Sequence, residues 1–211
     1  LAYLKTDMSP LNGRIEDSLQ VGNFVEGKKF GNHKEWHENG QLSTEGNYVN
    51  GKKEGLFRGW HSNGQLSNET NYVNGEREGL NREWWWSGEL NLENNYVNGE
   101  KEGLHRKWNN GHLTEEFNYA NGKKDGLVRE WYRRNGQLAV EANYENGKLE
   151  GLSRWWHESG KLRFEINYIN GKAEGINKTW YEEGRYVEEN YVNGILEGRF
   201  RVWSSMNGPL I

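Results

Sequence analysis

The chain has 211 residues, 33% of them hydrophobic, a net charge of −4 and a mean hydropathy of −1.10. That charge leaves no global basic field to draw in nucleic acid. The lack of cysteine removes disulfides, thiol nucleophiles and thiolate-bound metals together. Low hydrophobicity would signal disorder, but 11 Trp, 11 Tyr and 6 Phe accompany 28 Gly. The apolar area is therefore held in a few large rings of about 150–250 Å² each, which suits a thin structure with a narrow core.

Residues 1–22 contain a degenerate partial unit, Asn12-Gly13-Arg14-Ile15, and read as an N-terminal cap. From residue 23 the chain is periodic. A ring following asparagine recurs at Phe24, Tyr48, Tyr72, Tyr96, Tyr119, Tyr144, Tyr168 and Tyr191, at spacings of 24, 24, 24, 23, 25, 24 and 23. Seven residues after each ring stands a glycine, as at Gly31, Gly55 and Gly79. Five residues further comes a tryptophan in every copy: Trp36, Trp60, Trp84, Trp108, Trp131, Trp156, Trp180 and Trp203. Residues 23–208 are thus one domain of tandem repeats, and 209–211 are its end.

Each unit carries two turn signals, Asn50-Gly51 after the ring and Asn63-Gly64 after the tryptophan in one copy. Asn-Gly between short aromatic and β-branched runs is a strong hairpin cue. Two turns per 24 residues leave two strands of about five to seven residues, and frequent glycine excludes helix. The fold class is all-β: an elongated array of about eight hairpin repeats in a twisted antiparallel meander or open solenoid, without a hydrophobic globular core. Some 16 strands at about 4.8 Å would run roughly 75 Å. Small insertions and deletions fall near Gly111, Arg133–Arg134 and Tyr186, at or beside the turns.

The string G-L-x-R-x-W-x-x-N-G-Q-L followed by E-x-N-Y-x-N-G-K-x-E-G covers about residues 12–208. It resembles the bacterial MORN-repeat variant of the YwqK-type antitoxin-like proteins. The resemblance implies a β-hairpin array, a role in protein–protein interaction and, in many members, an antitoxin or immunity label.

Alternation of side chains puts positions one, three and five after the glycine on one face. They are usually Leu, always basic and always Trp. The basic residues are Lys34, Arg58, Arg82, Arg106, Arg129, Arg154, Lys178 and Arg201. Glu45, Glu69, Glu93, Glu116, Glu141, Glu165 and Glu189 on the second strands are their expected partners. The resulting ladder would stack Arg on Trp and close it on Glu, with the eight repeat tryptophans as structural core rungs. A device present in every unit does repeat work, so an acid or anion site is the weaker reading.

The residue after each tryptophan is expected on the opposite face, as an outer aromatic stripe. Its candidate binding residues are His37, His61, Trp85, Tyr132, His157 and Tyr181, with Trp86 and Trp155 from outside the regular slots. Such rings give contact area at low entropic cost; alternatively they cover their own sheet. Equivalent histidines lie two strands apart, roughly 10 Å, too far to share a metal, and His33, His105 and His112 add no ligand pattern. No Ser–His–Asp arrangement stands out. No catalytic residue, metal or cofactor is therefore assigned, and the chain is read as no enzyme.

The expected function is a non-catalytic protein-interaction scaffold. Its partner would be a toxin or effector, or a second copy joined through exposed sheet ends. A carbohydrate or cell-wall module is the alternative, since Trp-Tyr/His-x-x-N-G-x-L is loosely similar to choline- and glucan-binding repeats. A membrane-surface scaffold is the second alternative; the absence of a polybasic block argues against it. No apolar run approaches the ~18 residues of a spanning helix. The chain starts at Leu1, so compartment stays open between cytoplasm and export.

Overall fold

A computed structural model describes residues 12–16, 19–198, 200–204 and 208–210. Most of the expected N-terminal cap (1–11 and 17–18) and the final residue 211 lie outside the described residues. The described residues form antiparallel strands joined by turns, with no helix. They fall into two compact units, dividing between Glu102 and Gly103.

The first unit is a meander of β1 (Gly13–Glu16), β2 (Gln20–Val25), β3 (Lys28–Trp36), β4 (Leu42–Val49), β5 (Lys52–Trp60), β6 (Leu66–Val73), β7 (Glu76–Trp84) and β8 (Leu90–Val97). Each neighbour pairing from β1–β2 to β7–β8 is antiparallel. β9 (Glu100–Asn109) begins just before the division. The second unit continues through β10 (His112–Ala120), β11 (Lys123–Trp131), β12 (Leu138–Glu145), β13 (Lys148–Leu149), β14 (Gly151–Trp156), β15 (Leu162–Ile169) and β16 (Lys172–Trp180). It ends with β17 (Tyr186–Val192), β18 (Ile195–Leu196), β19 (Arg201–Ser204) and β20 (Gly208–Leu210).

Most strands are longer than the turn spacing suggests, because the second glycine of the unit does not end a strand. β5 runs nine residues straight through Gly55. Gly55 takes φ +73° with open space where a Cβ would stand. The requirement there is the left-handed backbone, not room. It allows a bulge: between Glu45↔Arg58 and Asn47↔Glu54, β5 carries more residues than β4. The Asn-Gly turns after the ring are two-residue connections with both φ positive, as at Asn74 (52°) and Gly75 (91°), which matches strand twist. Those after the tryptophan sit in longer connections, as at 61–65.

The alternation argument holds and its burial assignment does not. Leu56, Arg58 and Trp60 share a face, but Leu56 is 43% exposed, as are its equivalents to a similar degree. The repeat tryptophans Trp36, Trp60, Trp84, Trp108, Trp131, Trp156, Trp180 and Trp203 are half-buried. Full burial falls on the other face, two residues after the glycine, at His33, Phe57, Asn81, His105, Val128, Ser153 and Asn177. Across the hairpins these residues meet Gly46, Thr70, Asn94, Phe117, Ala142, Ile166 and Glu189. This inner row is the narrow core.

In the first unit the inner row is a run of edge-to-face rings. Phe24, His33, Tyr48, Phe57 and Tyr72 follow one another at centroid distances of 5.3, 5.1, 5.2 and 5.2 Å, a favoured aromatic geometry. The rings cross glycines: a Cβ on Gly46 would stand 2.3 Å from the Phe57 ring. In the second unit the row opens with His105 stacked on Phe117 at 4.3 Å, turns aliphatic at Val128, Ala142 and Ile166, and carries buried polar groups at Ser153 and Asn177.

Candidate functional site

The outer face carries the expected ion-pair ladder. Lys34–Glu45 (3.2 Å), Arg58–Glu69 (2.8 Å) and Arg82–Glu93 (2.9 Å) belong to the first unit. Arg106–Glu116 (2.8 Å), Arg129–Glu141 (3.1 Å) and Arg154–Glu165 (2.8 Å) belong to the second. The seventh pair differs from expectation: Lys178 meets Glu188 at 3.9 Å, not Glu189. Register counts back from the ring, and Glu188 stands three residues before Tyr191 as Glu69 does before Tyr72. Glu189 faces the inner row and accepts from Asn177 Nδ2 (3.1 Å). The pairs are partly solvated, so each contributes little to stability; they order a regular charged surface between exposed aliphatic residues. Lys53 Nζ instead lies over inner-row rings, 4.8 Å from both Phe57 and Tyr72.

In six copies, at His37, His61, Trp85, Tyr132, His157 and Tyr181, the residue after the tryptophan opens a turn, and there alternation no longer decides where its side chain goes. His37 Nε2 donates to the Trp60 carbonyl (2.8 Å), His61 Nε2 to Trp84 (3.0 Å) and His157 Nε2 to Trp180 (3.1 Å). The Tyr132 hydroxyl donates to the Trp156 carbonyl (2.7 Å). Each of these four reaches one repeat forward and ties two turns together. The turn asparagines do the same: Asn39 to Ser62, Asn63 to Trp86 and Asn135 to Glu158, at 2.6 to 2.9 Å. At the opposite hairpin ends Glu54, Glu78, Glu150 and Glu174 accept from the backbone N–H of Asn74, Asn98, Asn170 and Asn193. The acidic residue before the second glycine recurs in the sequence and was assigned no role from it. Its spacing to the next Asn-Gly was the readable signal.

Of the eight stripe candidates, His37, His61, Tyr132 and His157 are therefore half-buried clamps. Trp155 lies in β14 on the inner face, its ring 4.8 Å from Phe164. Trp85, Trp86 and Tyr181 remain exposed. The Tyr181 ring carries the Arg185 guanidinium at 4.5 Å.

Trp85 and Trp86 border a polar stretch of the inner row. In the first unit the inner row turns polar at Thr70, Asn81 and Asn94, all fully buried. Asn81 Nδ2 donates to Thr70 Oγ1 (2.6 Å), while Asn81 Oδ1 has no partner. Asn91, the extra residue of the bulge opposite Glu83 and Trp84, also leaves a buried Oδ1 unpartnered. Both asparagines line a groove of about 640 Å³ with Glu83, Arg77, Trp85 and Trp86. An unmet buried acceptor costs about 1–3 kcal/mol. Arg77 is engaged beside it, donating to the Tyr96 hydroxyl (2.9 Å) with its guanidinium 5.1 Å from that ring. Among the described residues no three His, Asp or Glu side chains gather as metal ligands.

The family model described as the MORN repeat variant matches residues 31–50, 53–74, 124–146 and 149–170. No curated protein matches the chain. The matched segments span the second glycine, the ladder residue, the tryptophan turn and the ring of successive hairpins, in both units. At these four positions the chain is similar to the MORN repeat variant.

Proposed function

We propose that this chain is a non-catalytic scaffold that binds another protein along its ladder face. Repeats of the matched family are protein- or membrane-binding modules. The observation that carries the protein reading is the ladder face itself. Leu56 and Leu80 in the first unit, and Leu104, Leu127, Leu152 and Ile176 in the second, are exposed at one repeated position. Each stands two residues from an Arg–Glu or Lys–Glu pair. Alternating apolar and charged rungs favour a folded partner with an extended complementary surface. The ladder cations from Lys34 to Lys178 are each paired with a carboxylate, which leaves an anionic bilayer no preferred contact along the ladder. The finer form of the proposal is neutralisation: the partner is a toxin or effector held inactive while its surface is covered.

Photo-crosslinking in cells from positions 80 and 127 tests this reading, with the turn positions 38 and 182 as controls. One polypeptide should be captured from both ladder positions, and lost when Leu56 and Leu152 are changed to Glu. Capture from the turn positions alone overturns the ladder-face assignment. Survival of cells expressing the captured partner only beside the unaltered chain tests neutralisation.

A further inference from the structure

We infer that the polar groove of the first unit, floored by Asn81 and Asn91 and walled by Trp85 and Trp86, is a binding site for a neutral sugar unit. The inference goes beyond the scaffold reading and uses a different surface. Four observations carry it. Asn81 is 2% exposed yet keeps an Oδ1 without a donor, and Asn91 Oδ1 is likewise buried and unmet. Two acceptors in one groove ask for a ligand rich in hydroxyl donors. The slot of Asn81 holds Phe57 and Val128 in two other copies, and Ser153 and Asn177, whose buried oxygens are also unmet, in two more. What sets Asn81 apart is the second orphan acceptor, Asn91, lining the same groove.

Trp86 is 56% exposed. Its ring lies 5.2 Å from that of His61, whose Nε2 is fixed on the Trp84 carbonyl. Its own carbonyl accepts from Asn63 Nδ2. An exposed indole resting against the His61 ring is a platform for the C–H face of a pyranose. A groove of about 640 Å³ admits one or two sugar rings.

The same features disfavour a peptide strand. β6 and β7 are paired on both sides, so the floor offers side-chain acceptors and no free ladder groups for strand addition. The cations at the groove are already seated on rings, Lys53 over Phe57 and Tyr72 and Arg77 over Tyr96. They do not form a cluster aimed at an anionic ligand, which points to an uncharged sugar.

Calorimetry and tryptophan fluorescence with maltotriose, cellotriose and chitotriose, up to about 10 mM, test for free oligosaccharides. Co-sedimentation with amylose, cellulose and chitin tests for polymers. At least one probe should bind the full chain. Trp86→Ala and Asn81→Val should each weaken that binding by about tenfold or more. Asn81→Val copies the residue of the equivalent slot in β11, so it should keep or raise the unfolding midpoint while it removes the acceptor. Trp86→Ala alters an exposed side chain and reports on the platform even if the Asn81 variant misfolds. Binding of no probe overturns the inference. So does binding that both variants retain, since it would then lie elsewhere on the chain.

Discussion

The two units build one hairpin frame around different cores. In the first, rings interlock edge to face and cross bare glycines, and the row then breaks into the polar stretch of Thr70, Asn81 and Asn94. In the second, after His105 and Phe117, the row turns aliphatic at Val128, Ala142 and Ile166, with Ser153 between them, and becomes polar at Asn177 and Glu189. What stays constant is the frame: two-residue Asn-Gly turns, a left-handed second glycine, and clamps from turn to turn. Turn geometry and backbone pairing therefore set the hairpin, and the inner slot is free to vary so long as neighbours stay complementary. That freedom lets one copy of a structural repeat acquire a groove.

The largest expected effect lies in the ring row. Phe57→Ala removes a ring that touches Tyr48 and Tyr72 and covers Gly46. It should cost about 3–5 kcal/mol, whereas Ile166→Val in the aliphatic row should cost about 0.5–1.5 kcal/mol. Urea unfolding followed by tryptophan fluorescence measures both. Equal losses would erase the distinction between the two cores.

A smaller effect tests complementarity directly. Gly46 and Ala142 occupy the same slot, two residues before the ring. A Cβ is at home in the second unit because the next strand, in register at Glu141↔Arg154, offers Ser153 there. On Gly46 the added carbon would meet the Phe57 ring at 2.3 Å. Gly46→Ala should destabilise by about 1–3 kcal/mol, and adding Phe57→Val should recover part of the loss by importing the aliphatic pairing. If the double variant is no better than the sum of its parts, crowding by Phe57 is not why this slot holds glycine.

Much of this organisation is legible in the residues and some is not. The 24-residue period, the all-β hairpin class and six of the ladder pairs follow from spacing, because Asn-Gly turns and period-two alternation are local rules. The buried face does not follow. Leu56 and Trp60 outrank Phe57 and Gly59 in apparent apolarity, yet a ring crossing a glycine on the adjacent strand seals the other side, and that contact spans two hairpins. Glu189 was misassigned for a similar local reason: neighbouring glutamates compete, and only register against Tyr191 separates them. His37, His61, Tyr132 and His157 look like an exposed row because they follow tryptophan in a strand-like pattern. Each instead begins a turn, where the next repeat's carbonyl captures it. The groove had one visible trace, the amide-rich stretch Asn91 to Asn95 beside Trp84–Trp86. Nothing in the spacing showed that Asn81 would be buried beside it.

The smallest effect sharpens the comparison through pH. His33 fills the slot that Phe57 fills one repeat later, packed between Phe24 and Tyr48. Burial disfavours its charged form and holds its pKa below the ordinary 6.5, although its Nε2 donates to the Asn23 carbonyl (2.9 Å). A base with a lowered pKa binds fewer protons folded than unfolded. Its stabilisation is complete above about pH 6.5 and drains away as pH falls through the interval down to its folded pKa. Other charges face it: Lys29 opposes protonation and Glu35 favours it. The hydrogen bond from Lys29 depresses the Glu35 carboxyl below 4.5, so the loss due to Glu35 begins only at lower pH. Between pH 7 and 5 the first unit should therefore weaken through His33, and His33→Phe should flatten that slope while extending the ring row. Urea midpoints at half-unit pH steps measure the slope. A slope unchanged in His33→Phe would mean that the imidazole is not what makes this core acid-sensitive.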